Sequence, residues 1–133
     1  IVDKLGYLEI PLAELYNKKK SGNPGFDFHS QSLDEVIIFG EAKYLDDRNA
    51  YGSGLKQVVR FISDKKDIKD LADLRDFCSQ NALSSVSKGM KGFAVAFSAK
   101  STPSDTLVSN IIKNKDFISL LQHQEIIIVA VNI

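Results

Sequence analysis

A chain of 133 residues with 44% apolar side chains has the length and hydrophobic content for one folded core, which excludes a disordered polar segment. Its 17 basic and 17 acidic residues cancel, which excludes nucleic-acid binding through global charge. Any such binding needs a local patch, for which Lys18-Lys19-Lys20, Lys65-Lys66 and Lys88 with Lys91 are the candidates.

In chain order, residues 5–20 place Leu5, Leu8, Leu12, Leu15 and Tyr16 near helical spacing, so a helix is predicted there, with Pro11 in its first turn or at a kink. Ser21-Gly22-Asn23-Pro24-Gly25 is dense turn chemistry. Phe26 to Ser30 reads as a strand, with Phe26 and Phe28 on one face and Asp27 and His29 on the other. Gln31 to Asp34 turns the chain into a second strand, Glu35 to Tyr44, whose apolar run predicts a central position in the sheet.

Asp46 to Asn49 offer N-caps for a helix through Ser63, with Leu55, Val58, Val59 and Ile62 facing the core. A second helix is expected over 68–80, then a polar loop over 81–92. Phe93 to Ser98 is a strand, and Ser104 or Asp105 caps a helix running to Leu121. Glu125 to Ile133 is a closing β-branched strand. This order predicts one α/β domain spanning residues 1–133, a mixed central sheet flanked by helices.

One cysteine, Cys78, excludes an internal disulfide and a thiolate zinc site, and its helical context reads as a small buried apolar residue. Two histidines, His29 and His123, are too few and too far apart for a recognisable zinc motif. No run reaches the roughly 20 apolar residues that span a bilayer. With no leader pattern at the start, a reduced, cytoplasmic compartment is expected. The chain opens on Ile1 rather than Met, as a segment of a longer chain would.

The stretch GFDFHSQSLDEVIIFGEAKY carries the chemistry. In a strand, Glu41 and Lys43 project from one face while Ala42 turns behind them. Ending the apolar run Val36-Ile37-Ile38-Phe39 with these charges is costly unless that face meets solvent or a ligand. Two carboxylates, Asp27 and Glu41, suit a hard divalent cation such as Mg²⁺ or Mn²⁺, and the carbonyl of Ala42 adds an oxygen. An ammonium beside them, Lys43, steadies a hydroxide formed on that cation. His29 reads as structural or as a phosphate contact or proton shuttle beside Asp27. Gln57 reads as a helix surface residue or as a polar neighbour of Lys43. Tyr44, Tyr51 and Arg60 read equally as nucleic-acid contacts and as core or surface residues.

Together, Asp27, the apolar strand and Glu41-Ala42-Lys43 resemble the PD-(D/E)XK nuclease superfamily, whose restriction-endonuclease-like core has a comparable order of elements. That resemblance implies a metal-dependent endonuclease acting on DNA, with Asp27, Glu41 and Lys43 catalytic. It also implies a first-helix carboxylate as a further ligand, Glu9 in preference to Glu14. Lys18, Lys19, Lys20 and Arg60 become candidate DNA contacts. Within the superfamily, LEIPLAELY, GFDFH and FGEAKY resemble the nuclease subunit of the bacterial Hachiman antiphage system, which implies defence against foreign DNA and a helicase partner. A non-catalytic binding module on the same fold and a Holliday-junction resolvase are the competing readings; the zero net charge weighs against the latter. Monomer and homodimer both stay open.

Overall fold

Alternating and β-branched runs set up the sheet that carries everything else. The computed structural model describes residues 8–9, 25–45, 48–100 and 105–132. Strands β1 (Leu8–Glu9), β2 (Phe28–Gln31), β3 (Ile37–Lys43), β4 (Gly92–Ala99) and β5 (Glu125–Asn132) lie side by side in chain order. β1, β2 and β3 are antiparallel neighbours, whereas β3, β4 and β5 run parallel. The fold is therefore α/β with a mixed sheet flanked by helices, as the element order predicts.

Among the described residues the helices are α1 (Tyr51–Ser63), α2 (Lys66–Leu74), α3 (Gln80–Ser87), α4 (Asp105–Lys113) and α5 (Lys115–Leu120). All five feed side chains into one core, through Leu55, Val58 and Phe61 of α1, Leu74 of α2, Val86 of α3, Ile111 of α4 and Leu120 of α5. Its centre is aromatic. Phe26 lies 5.4 Å from Phe39, 5.2 Å from Phe61 and 5.8 Å from Phe93, ring centre to ring centre. Tilted and edge-on contacts of this kind add about 0.5–1.5 kcal/mol each beyond the area they bury. The opposite sheet face carries a smaller cluster of Val36, Ile38 and Ala94, against which Phe28 and Ile127 pack.

Several expectations need correction. Leu8 and Glu9 are not helical: they pair with Gln31 and Ser30 along β2. A strand edge rich in unpaired backbone groups outweighs a helical spacing that carries no strong cap. The rest of the expected first helix, including Glu14 and Lys18-Lys19-Lys20, lies outside the described residues. Phe26 and Phe28 do not share a face, because Phe26 precedes β2 and turns into the main core while Phe28 joins the smaller cluster.

The predicted loop over 81–92 contains α3 instead. Ser79 caps it, its Oγ accepting the Ala82 N–H at 3.1 Å. The helix expected up to Leu121 breaks in two at Asn114, whose Oδ1 accepts the N–H groups of Asp116 and Phe117 at 2.9 and 3.1 Å. Helix α1 starts at Ala50 with no side-chain cap; Asn49 accepts from the Lys100 N–H instead, at 2.8 Å. Among the described residues, no helix is long and apolar enough to cross a membrane.

Candidate active site

Strand β3 delivers the motif. Its buried run Ile37 to Glu41 ends on exposed Ala42 and half-buried Lys43, so the charged residues emerge where the strand leaves the core. Asp27 is fixed beside them by backbone pairing. Its N–H donates to the Gly40 carbonyl at 2.9 Å, and its Oδ2 accepts the Ala42 N–H at 3.0 Å. Gly40 is required there, because a Cβ on it would stand 2.1 Å from the Phe28 ring, which covers the strand at that point. The Gly-Glu-Ala-Lys order is thus a packing solution as well as a set of functional groups.

Glu41 is only 4% exposed. Burial, then the hydrogen bond and negative charge of Asp27, push its carboxyl up from 4.5 to about 9, against the opposing pull of Lys43 and of a hydrogen bond from Gln57. At neutral pH and without a cation, Glu41 therefore keeps its proton beside the Asp27 carboxyl. A carboxyl perturbed by burial and by a neighbouring acid marks a candidate functional site.

Gln57 reaches Glu41 because α1 lies close to the sheet. At Gly54 an added Cβ would stand 2.6 Å from Val95 Cγ1 and 3.6 Å from Lys43 Cβ. A glycine inside a helix costs about 1 kcal/mol relative to alanine, so Gly54→Ala would ordinarily stabilise α1. Here it should instead destabilise, by about 1–2 kcal/mol, since overpacking outweighs the helical gain. Urea unfolding of the single and double variants checks this: in a Val95→Ala background the penalty of Gly54→Ala should shrink or vanish.

His29 is buried, and its Nε2 lies 3.0 Å from Asp70 Oδ2 on α2 rather than meeting Asp27 or Glu41. The same Asp70 oxygen accepts the Phe26 N–H at 3.1 Å. Asp70 thereby clamps both sides of Asp27, and His29 takes the structural role. Asp70→Ala strands both donors in the core and should cost about 2–4 kcal/mol, measured as a fall in the urea midpoint at constant slope.

Elsewhere, Tyr51 packs edge-on against Phe97 at 5.8 Å, as a core residue. Tyr44 is 59% exposed and lines a cleft at the carboxyl ends of β3, β4 and β5 with Ala42, Lys43, Ser98 and Val131. Arg60 points to solvent with only a loose pair to Asp64 at 3.9 Å, which carries little energy. Lys91 is not part of a free basic patch, because its ammonium is bound to buried Asp67. Cys78 is half-buried, and burial raises its thiol to about 11, which suits the expected apolar role. His123 packs edge-on against Phe93 at 4.8 Å, and burial, then the nearby Lys91, hold its pKa below the usual value.

The structure therefore brings Asp27, Glu41, Ala42, Lys43 and Gln57 together and leaves His29 and Arg60 apart from them. Glu9 is seen as the backbone partner of Ser30 in β1. Among the described residues no group of three or more His, Cys, Asp or Glu converges, so the acidic pair stands with oxygen and nitrogen neighbours of other types. The residue that sequence reasoning missed is Asp70. Two acids at positions 67 and 70, one helical turn apart on a face that must be buried, were its only signal. Comparison of the chain with family models, with curated protein sequences and with solved structures gives no match.

Proposed function

We propose that this chain is a metal-dependent endonuclease of the PD-(D/E)XK kind that hydrolyses DNA phosphodiester bonds. The observation that carries the reading is the contact between the Asp27 and Glu41 carboxyl groups beside Lys43, at the end of a strand otherwise buried. The surrounding order supports it: an antiparallel β1-β2-β3 meander, a helix packed back over the motif strand, then parallel β4. The resemblance to the nuclease subunit of Hachiman antiphage systems extends the proposal to defence against foreign DNA alongside a helicase partner.

The donor set fits a hard divalent cation. Mg²⁺ characteristically takes one or two carboxylates and keeps several waters, and Ala42, next to Glu41 in the chain and bound through its N–H to Asp27, has a carbonyl that could add an oxygen. Bound there, Mg²⁺ or Mn²⁺ supplies a lowered pKa for water and charge neutralisation at the phosphate. Asp27 and Glu41 would hold the ion, and the Ala42 N–H keeps the Asp27 carboxylate aimed. Gln57 orients Glu41 from α1. Lys43 holds the attacking water in place and stabilises negative charge on it.

Incubation of supercoiled plasmid with Mg²⁺ or Mn²⁺, beside an EDTA control, tests the proposal. Metal-dependent nicking is the expected result. Absence of both cleavage and calorimetric metal binding would overturn it, and metal binding without cleavage would favour the non-catalytic module.

A further inference from the structure

Strand β5 forms one edge of the sheet, and among the described residues nothing pairs with its outer side. Its sequence, EIIIVAVN, has no proline, no lysine and no bulge over the whole ladder with β4. Natural edge strands are ordinarily blunted by such devices, so a long, flat, β-branched edge marks a place where another strand pairs. Ile126 to Ala130 all remain partly exposed, and Val131 is 39% exposed.

A second layer is uncovered at the same edge. Val108 and Ile112 on α4 are 52% and 55% exposed, and Ile118 on α5 and Leu121 just beyond it are 53% and 57% exposed. Between these helices and β5 runs an apolar groove of about 340 Å³, lined in part by Ile111, Ile112, Phe117, Ile128 and Ala130. An extended peptide would satisfy the strand and leave the helical ridge in water. The occupant must bring both a strand edge and an apolar helical ridge, in the same two-layer arrangement.

A second copy of this chain brings both. We infer that the β5 edge with α4 and α5 is a symmetric dimer interface, the two β5 strands pairing antiparallel to make one continuous sheet. A two-fold axis through Val129 and its mate sets Ile128 opposite Ala130, Ile127 opposite Val131 and Ile126 opposite Asn132, so no like charges face each other. The three elements carry both signs, Asp105, Asp116 and Glu125 with Lys113 and Lys115, which suits an isologous contact. Apart from Val131, which lines the same cleft as Ala42 and Lys43, these residues are separate from the proposed catalytic groups, so the inference stands apart from the nuclease proposal.

Sedimentation equilibrium of the full chain over a wide concentration range, with amide exchange along β5, tests it. Ile112→Glu and Val131→Lys alter exposed positions on the two layers, and unchanged circular dichroism verifies that each variant folds. The expected result is a dimer that either variant weakens by about 100-fold or more. The alternate β5 amides that point away from β4 should exchange slowly in the dimer and fast in the variants. A monomer at every concentration overturns the inference. Fast outward amides would then assign the edge to a different protein, and slow ones to a segment of the same chain. A dimer indifferent to both variants overturns it as well.

Discussion

Glu41→Gln should make the metal-free protein more stable, by about 2–4 kcal/mol at pH 8, and abolish its stabilisation by Mn²⁺. The sign follows from the direction of the shift. Burial and the neighbouring Asp27 raise the folded-state pKa of Glu41 from 4.5 to about 9, so the folded protein keeps a proton that the unfolded chain releases. The stability this affords is complete below the unfolded value and is lost as pH rises through the window between 4.5 and about 9. Each pH unit in that window removes about 1.4 kcal/mol at most, before relaxation of the site is counted. Glutamine has nearly the same shape and no proton to lose, so its advantage should be close to nil near pH 5 and grow steadily toward pH 8. Thermal unfolding at the two pH values, with and without Mn²⁺, measures this directly. Under the proposed function the cation takes the place of the Glu41 proton, so stabilisation by metal should itself increase with pH. A variant with no gain at pH 8, or one that Mn²⁺ still stabilises, would remove Glu41 from the cation site.

Lys43→Ala is expected to reduce metal-dependent nicking by about 10²–10³-fold while leaving metal affinity within a few-fold of the native value. Lys43 is half-buried at the end of β3, on the same side of the strand as Glu41. It carries no lone pair for the ion while it is charged, and its attraction for Glu41 is the weaker influence on that carboxyl beside burial and Asp27. Under the proposed function its contribution is therefore to the charge that develops during cleavage rather than to holding the ion. Isothermal titration with Mn²⁺ and initial nicking rates, compared for the two proteins, separate these contributions. A variant that loses metal and activity together would mean that Lys43 acts by shaping the acidic pair, and one that keeps full activity would dismiss it from the reaction.

Both experiments probe a site that destabilises its own fold. A buried, protonated Glu41 next to an acidic partner has no value to packing, and β3 could end on an apolar residue at lower cost. Such a cost is characteristic of sites retained for what they bind rather than for what they hold together.

Local sequence determined a good deal of this protein. Period-two and β-branched runs specify β3, β4 and β5 nearly to the residue, because the backbone ladder and the two sheet faces impose that pattern wherever they occur. The apolar stripe from Leu55 through Phe61 specifies α1 for the corresponding helical reason. The spacing of Asp27, Glu41 and Lys43 was legible too, since a hairpin brings residues on either side of its turn together. Ser79 and Asn114 were caps that a stricter reading of side-chain oxygens before Ala82 and Phe117 would have found.

Other features belong to the tertiary structure alone. Leu8 and Glu9 become a strand only because β2 offers them an edge, which no spacing within residues 5–20 encodes. His29 is a core residue because Asp70, 41 positions away, lies against it. Gln57 became a neighbour of Glu41 rather than a surface residue because Gly54 lets α1 settle onto Val95 and Lys43. Periodicity reports which side of an element is buried, whereas contacts across the fold depend on how closely the elements approach. That distance is set jointly by residues far apart in the chain.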